Sequence, residues 1–271
     1  MTLPPLALAT APVGVFDSGV GGLSVLREIH AQWPHEALIY VADSGHAPYG
    51  DKSVEFIEAR AVHIIEHLLR QGAKAIVVAC NTVTGLIIDR LRQRFAHCPI
   101  VAIEPAIKPA ALHTESGIVG VLATRQTASS PGLARLIHAH GQGKRFVVQA
   151  CPGWVERVEA GKLDDKDTQA LVASYVQPLL AQGVDTLVLG CTHYPFLAPV
   201  IGHFAGPSVQ VIDPAAAVAR ELGRRLVQLR RSAPPDRLPQ PIQFWTSGDP
   251  LHVAAVASRL WGQTLSPLAL P

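Results

Sequence analysis

Charge is scarce in this chain. Asp, Glu, Lys and Arg make up 16% of its 271 residues, while hydrophobic residues reach 48%; a globular protein ordinarily carries roughly 25% charged residues. That balance describes an extensive core under a sparsely charged surface. The net charge is only +2, and no basic run concentrates it, so nothing marks a nucleic-acid partner. No uncharged apolar stretch approaches the ~18 residues a membrane span needs. The opening segment, Met1–Pro12, is mildly apolar but lacks a positive n-region and is broken by prolines, which argues against a secretory signal. Cysteine is scarce too. Four residues do not build a secreted disulfide framework, and no Cys-x-x-Cys or His-x-x-x-His pair is read as a zinc site. Together these absences point to a reduced, cytoplasmic enzyme with free thiols.

What the chain does contain is one stretch written twice. Leu68-Leu-Arg-Gln-Gly-Ala-Lys-Ala-Ile-Val-Val-Ala-Cys80-Asn-Thr82 reappears without a gap as Leu179-Leu-Ala-Gln-Gly-Val-Asp-Thr-Leu-Val-Leu-Gly-Cys191-Thr-His193. Each cysteine ends an apolar, β-type run and is followed by small polar residues. That places a thiol at the carboxyl end of a buried strand, where open α/β sheets bind ligands. The copying extends further. Gly14-Val-Phe-Asp-Ser18 parallels Gly120-Val-Leu-Ala-Thr124, and Ile103-Glu-Pro-Ala106 parallels Ile212-Asp-Pro-Ala215, each of the latter a strand ending in an acid and a Pro-started helix.

Short apolar runs alternate with helix-period stretches nearly throughout, the pattern of βα units around parallel sheets. Strands are expected at Val13–Phe16, Leu38–Ala42, Ala75–Ala79, Ile100–Ile103, Ile118–Leu122, Phe146–Ala150, Thr186–Leu189, Val209–Ile212 and Ile242–Trp245. Helices are expected at Val54–Arg70, Val83–Phe95, Thr168–Ala181, Ala215–Arg230 and near His252–Leu260. The fold class is therefore α/β: two similar domains, each a parallel sheet flanked by helices, related by a pseudo-twofold with the active site in the cleft between. Residues 1–98 plus 212–271 are assigned to the first domain and 99–211 to the second, with the chain crossing near Glu104-Pro105 and Asp213-Pro214. Ser232–Pro241 is a Pro-rich linker whose following strand and helix are expected to pack back on the first half.

Cys80 and Cys191 are the leading candidates for chemistry. A lone buried cysteine is usually a small hydrophobe; two at matched strand ends are better explained as a working pair. Helix N-termini and nearby cations can bring a thiol from about 8.5 into the ~3.5–7.5 range, and Asn81-Thr82 and Thr192-His193 would open the helices concerned. A ligand-sized gap between the two sulfurs would preclude a disulfide. Cys98 and Cys151 fall in no repeated frame and are read as structural. The turn Asp17-Ser18-Gly-Val-Gly-Gly22 has no Walker Lys-Ser/Thr and does not match Gly-x-Gly-x-x-Gly. It is either a plain tight turn or a set of backbone amides for a substrate carboxylate, with Asp17 and Ser18 on the amine. Asp43 opens a second loop, Asp43–Gly50, on the same sheet edge; it could cap that loop, and a substrate-facing role is preferred. His193 suits proton traffic near neutral pH. Glu159, with Glu156 close by, is a weaker acid candidate.

Four ordered segments, Gly14-Val-Phe-Asp-Ser-Gly-Val-Gly-Gly-Leu-Ser24, Ala42-Asp-Ser-Gly-His-Ala-Pro-Tyr-Gly50, Val77-Val-Ala-Cys-Asn-Thr82 and Gly190-Cys-Thr-His-Tyr-Pro195, resemble the glutamate racemases of the cofactor-independent aspartate/glutamate racemase superfamily. The likeness runs from about Val13 to Gly248 and leaves the first dozen residues as an expected disordered extension. It implies interconversion of L- and D-glutamate with no cofactor and no metal, supplying D-glutamate for peptidoglycan. It implies that Cys80 and Cys191 are the two acid/base thiols, Cys80 serving the D-enantiomer and Cys191 the L-enantiomer. Substrate contacts are implied for Asp17, Ser18, Tyr49, Gly50, Asn81, Thr82, Thr192 and His193, with Thr124 or Thr127 nearby, Asp17 supporting Cys80, and Glu159 supporting His193. The partner is a small molecule, glutamate, with neither nucleic acid nor membrane; a homodimer is one option for the assembly, and no surface for a protein partner such as gyrase is legible. Alternatives are an aspartate racemase or other superfamily member, a binding protein using the same cleft, and a thiol-redox enzyme.

Overall fold

The computed structural model describes residues 9–271. Its central strands form where apolar runs can be buried on both faces, the condition that gives parallel sheets their unbroken Val/Ile/Leu sequences. The first sheet contains β1 (Val13–Asp17), β2 (Leu38–Ala42), β3 (Ala75–Val78), β4 (Ile100–Ala102), β9 (Gln243–Thr246) and β10 (Leu268–Ala269). The second contains β5 (Ile118–Ala123), β6 (Arg145–Ala150), β7 (Thr186–Gly190) and β8 (Gln210–Ile212). All pairings are parallel, in the orders β10-β9-β2-β1-β3-β4 and β6-β5-β7-β8. Setting β5, β6, β7 and β8 against β1, β2, β3 and β4, the second order repeats the last four strands of the first.

The repeat reaches atomic packing. A Cβ on Gly14 would lie 3.0 Å from Leu68 and 3.1 Å from Ile76; a Cβ on Gly120 would lie 3.2 Å from Leu179 and 2.8 Å from Leu187. Those partners are the same positions of the duplicated stretch. In both halves the helix before the cysteine-bearing strand presses onto a central-strand glycine, and that contact sets how deeply the helix seats.

The boundary expected at 98/99 falls just before β4. β4 is hydrogen-bonded to β3, with Ile76 opposite Ile100, so it belongs to the first sheet and the chain crosses after it. At the return, β8 pairs with β7 through Ile212, which puts residues 210–212 in the second sheet. Then α10 (Ala215–Gln228) packs on α1 (Leu23–Gln32) of the first half: Trp33 Nε1 donates to the Ala219 carbonyl at 2.9 Å. β9 joins β2, and α11 (Pro250–Trp261) follows.

Under the first sheet, Lys74 and Glu36 form a buried ion pair at 2.5 Å. Lys74 Nζ also donates to the Ala9 carbonyl (2.6 Å), Glu36 accepts from the Ala233 amide (2.8 Å), and Arg237 donates to the Thr10 carbonyl (2.9 Å). The expected N-terminal extension is thus tied down at residues 9 and 10, while residues 1–8 lie outside the described residues. No helix among the described residues is long and apolar enough to cross a membrane.

Two stability predictions arise here. Asp185, just before β7, accepts from the Thr114 hydroxyl, the Glu115 and Ser116 amides and the Thr186 hydroxyl at 2.6, 2.8, 2.6 and 2.9 Å. Burial works against its charge, but these donors prevail and hold the carboxyl at about 2. A carboxylate lowered on folding stabilises the native state above its unfolded pKa, and the stabilisation disappears as pH falls through the folded value. Asp185→Asn is therefore expected to lower the thermal midpoint at pH 5–7, with the gap to wild type closing between pH 4 and pH 2. Gly202 lies within α9 (Ala198–Ala205), and a Cβ there would meet nothing within 4 Å. Gly202→Ala is expected to add about 0.5–1 kcal/mol in denaturant titration.

Candidate active site

β3 ends at Val78, and Cys80 caps α3 (Asn81–Arg94) with an extended backbone, φ −136° and ψ 113°. The sulfur therefore stands at the start of a four-turn helix, where it receives the Val83 amide. It donates to the Ser18 hydroxyl at 3.6 Å. Burial, and next the charge of Asp17, push the Cys80 thiol far above its ordinary value despite those two hydrogen bonds. Asp17 ends β1 and is fully buried. It accepts from the amides of Ser18 (2.7 Å) and Gly22 (2.6 Å) and the hydroxyl of Thr192 (3.1 Å). Burial raises its carboxyl above the normal range, against the opposing pull of His193.

Cys191 follows β7 at the matching position. His193 lies two residues on, its Nδ1 3.7 Å from Cys191 Sγ and its Nε2 2.7 Å from Glu159 Oε1. Burial disfavours the charged imidazole, but hydrogen bonds to Cys191 and Glu159, with the charge of Asp17, outweigh it and raise His193 well above its usual value. Glu159 is the last residue of α7 (Trp154–Glu159). It also accepts from the Val20 amide at 2.7 Å and the Ser44 hydroxyl at 3.1 Å. Glu156, its sequence competitor, is exposed; Glu159 is the residue paired with His193.

Both thiols are free but enclosed, Cys80 being 4% and Cys191 7% exposed. The two halves close directly over them. Ser24 Oγ donates to the Thr192 carbonyl at 3.0 Å, Thr82 Oγ1 lies 3.0 Å from Thr124 Oγ1 and 3.2 Å from Thr127 Oγ1, and Gln126 Nε2 donates to the Lys52 carbonyl at 2.8 Å. Thr124 and Thr127 both reach this cluster.

The Asp17–Gly22 turn spends three of its amides on side chains of the protein itself. Its Ser18 and Gly22 amides are taken by Asp17 and its Val20 amide by Glu159. Its glycines are there for closeness: a Cβ on Gly19 would lie 1.9 Å from Glu159 Oε1, and one on Gly21 would lie 2.2 Å from His193 Nδ1. The turn is a surface against which the opposite half fits.

Asp43 also departs from expectation. It faces its own loop: Arg60 grips it through Nε (3.0 Å) and Nη2 (2.7 Å), Tyr49 Oη donates to it at 2.5 Å, and His46 Nδ1 lies 3.1 Å away. Burial is outweighed by hydrogen bonds from Arg60, Ser247 and Tyr49, so its carboxyl sits below the ordinary range. Tyr49 is buried, and a Cβ on Gly50 would lie 3.1 Å from Thr124; that loop reaches the seam through its main chain. Asn81, next to Cys80, is buried with both side-chain amide atoms lacking a protein partner. Ser44 and Arg60 were not anticipated: a serine in a loop and an arginine on a helix carry no sequence signal of what they touch.

The remaining cysteines are structural in placement. Cys98 is buried, its thiol pushed up to about 11 by that burial, and Cys151 lies beneath Tyr194, whose hydroxyl donates to the Cys151 carbonyl at 3.4 Å. His63 and His67, spaced four apart on α2 (Val54–Arg70), diverge: His63 Nε2 lies 3.2 Å from the Pro271 carbonyl oxygen, and His67 packs edge-on against Trp245. Among the described residues no cluster of three or more His, Cys, Asp or Glu side chains could hold a metal ion.

Comparison with known proteins places this geometry in context. The profile of the Asp/Glu/Hydantoin racemase family matches residues 13–222. A glutamate racemase of Ectopseudomonas mendocina is 54% identical over 253 residues, 93% of this chain and 95% of its own. The crystal structure of glutamate racemase isoform RacE1 from Bacillus anthracis superposes with a TM-score of 0.88 at 33% identity, over 96% of this chain and 97% of that one. That of glutamate racemase from Francisella tularensis in complex with D-glutamate gives 0.85 at 26% identity, over 97% and 98%.

Proposed function

Because the chain belongs to the Asp/Glu/hydantoin racemase family, we propose that it interconverts L- and D-glutamate by a two-base mechanism in which Cys80 and Cys191 work from opposite faces of the substrate. The observation that carries this reading is the matched pair of strand-end thiols, each with its own proton-handling neighbours: Ser18 and Asp17 beside Cys80, His193 and Glu159 beside Cys191. In one direction the Cys191 thiolate takes the α-proton of L-glutamate, leaving a planar carbanion, and the Cys80 thiol returns a proton to the other face. The D-isomer leaves, and the thiols now stand in the opposite protonation state. The reverse reaction begins from Cys80. His193, tethered by Glu159, can supply or remove the proton on Cys191; Asp17 and Ser18 can do so for Cys80.

Charge developing on the carbanion needs preorganised donors, each worth roughly 2.7–4 kcal/mol in comparable sites. The start of α3 beside Cys80 and the unsatisfied amide of Asn81 support that role. We assign substrate contacts to Asp17, Ser18, Tyr49, Gly50, Asn81, Thr82, Thr192 and His193, with the main chain of Tyr49-Gly50 in place of the Tyr49 hydroxyl. Opening of the seam admits glutamate; closing it excludes water, which strengthens every electrostatic term inside. In the cell the D-glutamate would feed peptidoglycan synthesis in the cytoplasm.

Incubation with each glutamate enantiomer in deuterated water tests the proposal. Deuterium is expected at Cα in the product of either direction, detected by mass spectrometry with chiral separation. Uptake of glutamate without hydrogen exchange would make this a binding protein. Faster exchange on aspartate would move the substrate assignment.

A further inference from the structure

The loop that brings Tyr49 and Gly50 to the seam carries two acids, and the exposed one, Asp51, pairs with Arg125 of the opposite half at 3.1 Å. The other, Asp43, is 0% exposed and spends its oxygens inside the first half. One oxygen accepts from Tyr49 Oη at 2.5 Å and Arg60 Nε at 3.0 Å; the other accepts from Arg60 Nη2 at 2.7 Å and faces His46 Nδ1 at 3.1 Å. Arg60 comes from the middle of α2, an element fully integrated in the first core, while the loop itself consists of two short 3₁₀ turns, Ser44–His46 and Tyr49–Asp51. A forked guanidinium on a planar carboxylate fixes both distance and angle, which a point charge on a flexible stem does not.

We infer that Arg60 is a positioning residue for substrate recognition: through Asp43 and the Tyr49 hydroxyl it sets where the Tyr49-Gly50 main chain stands. The inference rests on the assignment of Tyr49 and Gly50 as substrate contacts in the preceding section. Three observations support it. The Tyr49 side chain is wholly committed to Asp43, so only its main chain can meet a ligand. A Cβ added to Gly50 would stand 3.1 Å from Thr124 of the opposite half, so the Gly50 main chain lies close against that half when the seam is closed. No other arginine or lysine makes a described hydrogen bond or ion pair with Asp43, whose remaining neighbours are Tyr49, His46 and Ser247.

The experiment uses the full chain and steady-state racemisation of both enantiomers, with thermal midpoints measured alongside. Arg60→Met is expected to raise KM about 10–100-fold, the scale of an ångström-sized misplacement, with a much smaller change in kcat. Arg60→Lys, which keeps charge but loses the fork, should recover only part of that loss. Tyr49→Phe, lacking one hydroxyl, should shift KM in the same direction, and the double variant Arg60→Met/Tyr49→Phe should fall short of the product of the single effects. Because Asp43 and Arg60 are held in their charged forms by each other and Tyr49→Phe keeps that pair, the KM ratio of Tyr49→Phe to wild type should be the same at pH 7 and pH 9. A lowered thermal midpoint with unchanged KM in Arg60→Met and Tyr49→Phe would overturn the inference and leave a merely structural link. Should Arg60→Met fail to fold, unchanged KM in Tyr49→Phe is decisive by itself. Failure of the wild-type protein to exchange the α-hydrogen of glutamate would instead strike the proposed function.

Discussion

Cys80→Ser and Cys191→Ser will each lower racemisation by about 10⁴-fold, the upper range for removing a positioned acid or base, while leaving the fold intact. A serine hydroxyl is smaller than a thiol, so it fits without a clash, and it can still reach a hydrogen-bond partner in the neighbouring Ser18 or His193. Its acidity is the difference: an alkoxide in this enclosed seam is far harder to form than a thiolate, and that step is required in both directions. Deuterium exchange should separate the two sulfurs. Cys191→Ser should retain exchange at Cα of D-glutamate better than of L-glutamate, and Cys80→Ser the reverse, since each variant still holds one competent base. Wild-type turnover in both single variants would rule out the two-thiol mechanism. Identical exchange patterns in the two would remove the assignment of each sulfur to one enantiomer.

Gly21→Ala is the second large effect. The added methyl would stand 2.2 Å from His193 Nδ1 and 2.6 Å from its Cε1 and Cγ, distances that no small adjustment relieves. His193 cannot swing aside without leaving Glu159, and Gly21 cannot withdraw without disturbing the turn whose Gly22 amide is bonded to Asp17. The seam should therefore fail to close over Cys191, and kcat should drop about 100-fold even at saturating glutamate. Gly202→Ala, placed where a methyl has free space, is the matched control and should keep full activity. Equal activity in Gly21→Ala and wild type would mean that the histidine is not held against this turn during catalysis.

Much of this was legible from residues alone, for reasons that can be named. Doubly buried parallel strands must be continuous apolar runs, so β1, β2, β3, β5 and β7 stand out in the sequence, and the half-buried β4, β6, β8 and β9 still keep enough apolar residues to be placed within a residue or two; β10, only Leu268–Ala269 in a proline-flanked tail, is too short to leave a pattern. The repeat betrayed the paired cysteines because both halves solve the same packing problem, down to Gly14 with Leu68 and Gly120 with Leu179. Contacts across the seam were not legible. Whether Glu156 or Glu159 meets His193 depends on how one half is rotated against the other, which no periodicity reports. Asp43 was misjudged for a similar reason: its partner Arg60 lies 17 residues on, on a helix, and nothing local distinguishes a carboxylate that faces a ligand from one clamped by an arginine. The glycine-rich turn reads in sequence as a plain turn or as amides for a carboxylate, and nothing local shows that Gly19 and Gly21 answer to the side chains of the facing half.

The return of the C-terminal segment to β2 has a consequence for biogenesis. A nascent chain emerging from the ribosome can complete the contiguous second sheet as soon as residue 212 is free, but β2 stays an unpaired edge until residues 243–246 appear. For that interval the half-made protein carries a bare hydrogen-bonding rim of Leu, Ile, Tyr and Val. Truncations that stop within the Pro-rich linker should be the ones that coaggregate during translation, and a chaperone that recognises extended apolar backbone has its target there.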